Sequence, residues 1–196
     1  MMNEWSNIGI FADAKVNTTL KQTSYDDAKK EYMTESEYPV IDFDAVKEAY
    51  LLNKGAKIEE LKSADALVNC AQKIVFIEFK NGSMKHEKKR VKEKMKDSMF
   101  ILADLLDCTI DYVRNNVAFV LVYNNSKNCR SSPAMDTLAD IVAKIGHDRI
   151  CRFGFDNYRE LYFGKIVTYN DEQFNKDIMD SGFEGMVKEL QFFFSY

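Results

Sequence analysis

Proline is nearly missing from this chain, with two in 196 residues, and eight glycines leave little of the punctuation that linkers, collagen-like repeats or disordered segments require. Histidine is equally scarce: His86 and His147 are the only two, too few for a His-rich metal centre, and His86 is expected to be an exposed polar residue in a basic helix. The four cysteines, Cys70, Cys108, Cys129 and Cys151, are widely spaced with no CxxC pair, which argues against a zinc cage or a redox couple. They are expected to be reduced and mostly buried, as in a cytoplasmic protein. No apolar run approaches the ~20 residues that cross a bilayer. The first fifteen residues carry Asn3, Glu4, Asp13 and Lys15 and lack the basic start and apolar run of a secretory signal. Walker-type and dinucleotide glycine loops, GxSxG and HExxH do not occur. A soluble protein is expected, with no membrane partner.

What is present is core. Hydrophobic residues make up 46% of the chain, with 14 Phe and 10 Tyr, enough for one folded α/β or α+β domain over residues 1–196. Net charge is −4, which by itself argues against coating a polyanion through bulk positive charge. The distribution is uneven, however. Residues 80–96 hold eight Lys/Arg against two Glu, a local balance of +6 on an otherwise acidic chain. Such a strip can hold a polyanion in one place.

The periodicity of apolar residues places the elements. Residues 8–11 read as a short strand and 24–33 as a helix capped by Ser24. Over 42–53, Phe43, Val46, Ala49 and Tyr50 fall at helical spacing and Gly55 stands where a helix stops. Residues 56–62, 64–69 and 73–80 read as three strands of a small meander. From 84 to 106 the period changes: Val91, Met95, Met99, Leu102 and Leu106 recur every three or four residues, with Lys85, Lys89, Lys92 and Lys96 on another face. Residues 117–123, VAFVLVY, form a continuous apolar run, as in a strand covered on both sides. A strand, helix, strand unit of this kind makes the two strands parallel. Further on come a polar loop, a helix over 134–145, strands over 149–153 and 161–168, a helix from 171 and a packed tail at 192–194. Phe153, Phe155, Tyr158, Tyr162 and Phe163 are expected to serve packing rather than base stacking.

Chemistry concentrates in the 64–80 region. Side chains alternate along a strand, so Ile74, Phe76, Glu78 and Lys80 share one side, with same-side neighbours roughly 6.6 Å apart. A carboxylate can then hold a metal while the next ammonium reaches a water or phosphate beside it. If 64–69 and 73–80 form a hairpin, Asp65 comes alongside Glu78. Phosphodiester cleavage wants this set, because it needs a hydroxide near neutral pH and positive charge against a crowded transition state. A carboxylate-held Mg²⁺ answers both needs, and Lys80 can orient the water or offset developing charge. The bland alternative is a strand-end ion pair worth under about 1 kcal/mol.

At these residues the sequence resembles the PD-(D/E)XK nuclease superfamily, whose pattern is an acid opening one strand and (Asp/Glu)-x-Lys in the next, here Asp65 and Glu78-Phe79-Lys80. The family's leading Pro is replaced by Ala64, and no Gln-x-x-x-Tyr follows in the next helix. The resemblance implies a restriction-endonuclease-like core, a mixed β-sheet flanked by helices in the order αβββαβ, over about 42–124. An N-terminal extension, 1–41, and a C-terminal α+β elaboration, 125–196, complete the chain. It further implies that Asp65 and Glu78 bind Mg²⁺ or Mn²⁺ and that Lys80 assists hydrolysis. For the acid that many members carry on the first core helix, Glu48 is the best match, with Glu59 and Glu60 as alternatives.

The expected function is therefore a metal-dependent endonuclease acting on DNA in preference to RNA, with Lys85, Lys88, Lys89, Arg90 and Lys92 tracking phosphates. Read as a helix alone, that strip is more often a solvated face; beside Glu78 and Lys80 the two readings stand level. The rivals are a catalytically inactive binding or regulatory module with the nuclease fold, and a subunit that needs a partner protein or a second copy.

Overall fold

The computed structural model describes residues 9–70, 73–128 and 151–190. The helix expected at 134–145, the tail at 192–194, Cys129, His147 and the first two residues of the strand expected at 149–153 lie outside them. The chain is α/β, with one mixed six-stranded sheet flanked by helices.

The elements run α1 (Gly9–Ala12), β1 (Asn17–Thr19), α2 (Leu20–Thr23), β2 (Tyr25–Asp26), β3 (Glu31–Tyr32), β4 (Pro39–Asp42), α3 (Phe43–Asn53), β5 (Ala66–Cys70), β6 (Lys73–Lys80), α4 (Lys88–Leu105), α5 (Ile110–Asn116), β7 (Val117–Tyr123), β8 (Lys165–Asn170) and α6 (Asp171–Glu189). The main sheet has the order β1-β4-β5-β6-β7-β8; its first four strands are antiparallel, while β7 is parallel to β6 and β8 to β7. The parallel pairing of β6 and β7 across α4 is as expected. Strands from the expected N-terminal extension (β1, β4) and C-terminal elaboration (β8) belong to this same sheet.

Period-2 alternation along β6 sorts two cores. Ile74 and Phe76 face α3, α4 and α5, packing with Phe43, Val46, Val91, Met95 and Val113. Val75, Ile77 and Phe79 face the opposite way, against Phe174, Phe183, Met186 and Val187 of α6. Every side chain of β7 is buried, which is why its sequence shows no alternation. Asp42 caps α3 by accepting the Ala45 N–H at 3.0 Å, and Gly55, at φ +67°, ends it in the left-handed conformation that glycine reaches without strain.

Several expectations are corrected. Residues 56–62 form no strand; Ile58–Glu60 is an exposed 3₁₀ turn, because Ile58 and Leu61 stand three apart and cannot share one face of a strand. The third antiparallel strand is instead β4, which precedes α3, so the expected αβββαβ order becomes β4-α3-β5-β6-α4-α5-β7. Nor is 24–33 helical. Buried Ser24 accepts the N–H groups of Met33 and Thr34 at 3.2 and 3.3 Å and closes the β2–β3 hairpin, so its hydroxyl cannot cap a helix. Residues 9–11 lie in a helical turn rather than a strand. Residues 151–153 are irregular, and the strand expected at 161–168 is shifted to Lys165–Asn170. The helix expected from residue 84 begins at Lys88, after a turn in which the Met84 N–H donates to Asn128 Oδ1 at 2.7 Å. His86 is exposed as expected, but in that turn. The short helix α5 has no counterpart among the expected elements; Thr109 caps it through the Tyr112 N–H.

The thiols of Cys70, Cys108 and Cys151 are free, Cys70 buried and the other two half-buried. Phe155 and Phe163 are buried, with Phe153, Tyr158 and Tyr162 packed against the same core, as expected. Among the described residues no helix is long and apolar enough to cross a membrane.

Phe76 is fully buried, with its ring edge-on to Phe43 at 4.7 Å and Phe163 at 5.8 Å. Phe76→Ala is expected to cost about 3–5 kcal/mol in urea unfolding. Phe100→Ala, at a half-exposed position on α4, should stay within about 0.5 kcal/mol.

Candidate active site

Asp65 lies one step beyond the Ala66–Ile77 pair of the β5–β6 ladder, which brings it opposite Glu78. Residues opposed across an antiparallel pair point to the same side, so both carboxylates emerge on the α3/α4 face. The Asp65 side chain also continues the ladder, since its Oδ2 accepts the Phe79 N–H at 2.6 Å. Its carbonyl accepts the Phe43 N–H at 3.1 Å, tying the start of α3 to the same point. From α4, Asp97 Oδ2 accepts the Lys62 N–H at 2.9 Å and Ser98 Oγ the Ala64 N–H at 2.8 Å. Three elements, α3, β6 and α4, thus fix the backbone that presents Asp65.

Between the two acids stands Lys94. Its ammonium is 2.7 Å from Asp65 Oδ1 and 2.8 Å from Glu78 Oε2. Lys80 Nζ lies 2.7 Å from Glu78 Oε1 and 3.9 Å from Glu87 Oε2. Close as it is, Lys80 approaches outside hydrogen-bond geometry, so Oε1 is a buried carboxylate oxygen with a cation beside it and no hydrogen bond. Glu78 is wholly buried, while the Asp65 side chain keeps 18% exposure toward an open cleft.

The electrostatics follow from one ammonium shared by two acids. Burial works against charge on Lys94, but Glu78 and then Asp65 more than reverse it and hold its pKa well above the usual lysine value. Burial, followed by repulsion from Glu78, pushes the Asp65 carboxyl up to about 7 despite Lys94 and Lys80. Lys94 gains from each acid, whereas Asp65 shares Lys94 with Glu78 and takes a smaller contribution from Lys80. Burial also raises Asp42, and the nearby charges of Asp44 and Asp65 add to it. In both aspartates burial is the leading cause and like charge adds to it.

The cleft, about 610 Å³, is lined by Asp44, Asp65, Lys80, Glu87, Arg90 and Lys94 on the sheet and helix side and by residues 23–29 of the hairpin on the other. Lys29 Nζ donates to the Asn81 carbonyl, and Asn81 Nδ2 donates to Glu31 Oε1 at 2.7 Å, fastening the hairpin to the end of β6.

The expected residues divide as follows. Asp65, Glu78 and Lys80 come together. Glu48 is exposed and outside the cleft lining, as are Glu59 and Glu60; Asp44, one turn before Glu48, is the α3 acid that lines the cleft and accepts a hydrogen bond from the Ser63 hydroxyl. Of the basic strip, Arg90 lines the cleft, and Lys85, Lys88 and Lys89 are exposed around the start of α4. Lys92 turns away, its ammonium 5.1 Å over the Tyr158 ring. Lys94, Asp97 and Ser98 join the site without having been singled out by motif or charge pattern. A signal for Lys94 does exist, because it follows Val91 by three and precedes Ile101 by seven, which puts a lysine inside the apolar stripe of the helix.

Among the described residues no three Asp, Glu, His or Cys side chains form a ready metal cluster. The donors around Lys94 are nevertheless all oxygen, as Mg²⁺ and Mn²⁺ prefer, and Glu78 Oε1 has an open lone pair. These are donors of the kind a hard divalent cation takes, and in this structure the Lys94 ammonium stands between them. No family model, curated protein or solved structure matches the chain.

Two substitutions test this wiring. Lys94→Met leaves buried Glu78 and half-buried Asp65 without their shared partner and should cost roughly 3–5 kcal/mol in urea unfolding with EDTA present. Ser98→Ala strands the buried Ala64 N–H and should cost about 1–3 kcal/mol. A change under about 0.5 kcal/mol in either would contradict these interactions.

Proposed function

We propose that this chain is a metal-dependent nuclease with a restriction-endonuclease-like core, hydrolysing phosphodiester bonds in DNA in preference to RNA. The observation that carries the reading is the convergence of Asp65 and Glu78, opposed across an antiparallel ladder, on one point held by the cleft-lining Lys94, with Lys80 two residues along. It also rests on the resemblance of Asp65 and Glu78-Phe79-Lys80 to the PD-(D/E)XK pattern.

In this reading Asp65 and Glu78 hold Mg²⁺ or Mn²⁺, and Asp44 takes the part expected of Glu48. A bound divalent ion lowers the pKa of a coordinated water and polarises the phosphoryl oxygens. Lys80, steadied between Glu78 and Glu87, orients the attacking water and offsets charge on the phosphorane-like transition state. Arg90, inside the cleft, meets the scissile phosphate or its neighbour, and Lys85, Lys88 and Lys89 extend the positive track outside. The antiparallel β5–β6 hairpin followed by α4 and parallel β7 supports the core assignment; the position of β4 ahead of α3 departs from it.

One observation favours a second reading. Lys94 already bridges the two acids, as it would in a nuclease-fold module that binds nucleic acid without cutting it.

Plasmid nicking in Mn²⁺ separates the two. The wild type should cleave, Glu78→Ala and Lys80→Ala should each lose at least about 100-fold, and Glu48→Ala should remain near wild type. Cleavage indifferent to both site substitutions would remove the assignment. Salt-sensitive binding with no cleavage, in protein shown to bind Mn²⁺, would favour the module. For the basic track, replacing Lys88, Lys89 and Arg90 by Ala should flatten the dependence of log affinity on log salt by about 0.9 for each duplex phosphate that is no longer neutralised. An unchanged slope would make the strip a solvated face.

A further inference from the structure

We propose that Lys94 is an exchangeable occupant of the cation position: it holds Asp65 and Glu78 in the metal-free protein and swings into the cleft when a divalent ion binds. The inference rests on the reading of those two acids as metal ligands and adds a residue that the PD-(D/E)XK pattern does not supply.

An Mg²⁺ ion bonds carboxylate oxygen at about 2.0–2.1 Å, and Lys94 Nζ is already 2.7 Å from Asp65 Oδ1 and 2.8 Å from Glu78 Oε2. An ion bound to the same oxygens would lie, by the sum of the two lengths, within about 4.8 Å of the ammonium. A protonated amine has no lone pair to offer the ion, and at that range like charges in a partly buried site repel strongly. The two cations compete for one pair of acids.

Lys94 has the means to leave. It springs from α4 on a flexible four-carbon stem, and its side chain, 8% exposed, is part of the cleft lining beside Arg90. Released, its ammonium would join Arg90 at the place where a substrate phosphate enters. Loading the site thus exchanges an internal ion pair for a metal and a free cation facing the substrate. Without metal the ammonium stays between the acids and the fold keeps its ion pair. A purely structural Lys94 would stay in place under all conditions.

The direct experiment is amine acylation of the full-length wild type, read residue by residue by mass spectrometry, in EDTA and in saturating Mn²⁺. Lys94 is expected to be protected in EDTA and to react about tenfold faster with Mn²⁺, while exposed Lys88 and Lys89 keep their rates. Continued protection of Lys94, with Mn²⁺ bound at a site that Glu78→Gln abolishes, would overturn the exchange and leave the metal-site reading standing. A second measurement follows Mn²⁺ binding by the electron paramagnetic resonance of the free ion. Lys94→Gln, which keeps amide donors for the two acids, is expected to bind at least about tenfold more tightly than wild type. Equal or weaker binding by a folded variant would overturn the exchange. Should neither wild type nor variant bind Mn²⁺ in a way sensitive to Glu78→Gln, the metal site itself falls and the exchange with it.

Discussion

A single ammonium shared between two carboxylates organises the face of the sheet that opens to solvent. Lys94 reaches from α4 to Asp65 at the entry to β5 and Glu78 near the end of β6, so one side chain links a helix to two adjacent strands. The constraint is severe because Glu78 is wholly buried, and a buried charge left alone is costly. Much of the surrounding structure can be understood as serving that contact. Ser98 and Asp97, one turn beyond Lys94, pin residues 62–64; the Asp65 carboxylate takes the Phe79 N–H; Lys80 lies against the other oxygen of Glu78. Buried ion pairs seldom repay their desolvation better than an apolar core would, and that comparison gives this cluster a functional interest beyond its stability.

The fold explains why the acids meet where they do. Alternation along β6 commits Ile74 and Phe76 to the α3/α4 core, and the same alternation delivers Glu78 and Lys80 to that side just as the strand ends. Parallel β7 runs beside nearly the whole of β6, from Ile74 against Val117 to Lys80 against Tyr123, which stiffens the strand that carries two of the three site residues. The β2–β3 hairpin then forms the far wall of the cleft, held to Asn81 immediately after Lys80. Preorganisation of this kind is what positioned charge requires if it is to act on a reaction.

Much of this is legible in the amino-acid sequence. The strand at 73–80 and the fully buried strand at 117–123 announce themselves through period and apolar content, and Gly55 marks the end of α3 correctly. Legibility fails where the apolar pattern is short or ambiguous. Four-residue β4 opens with Pro39 and has too few positions to show alternation, so apolar composition alone draws the third antiparallel strand to 56–62. Ser24 has the chemistry of a helix cap and uses it to accept two N–H groups across a hairpin. Lys94 escapes notice because lysines on an amphipathic helix are ordinarily solvent-facing, and its buried role depends on acids 16 and 29 residues away, which helical spacing alone cannot reveal. Position along α3 favours Glu48, but only the packing of the helix on the sheet decides which acid faces the cleft, and that acid is Asp44.

Whether a divalent ion binds between Asp65 and Glu78 decides the proposed function. A crystal of the wild-type protein soaked in Mn²⁺ and measured for anomalous scattering addresses it most directly. The expected result is a single strong peak about 2.1 Å from an oxygen of Asp65 and an oxygen of Glu78, with Lys94 displaced from between them. A Mn²⁺-saturated crystal with no density between these two acids, and Lys94 still bridging them, would contradict it.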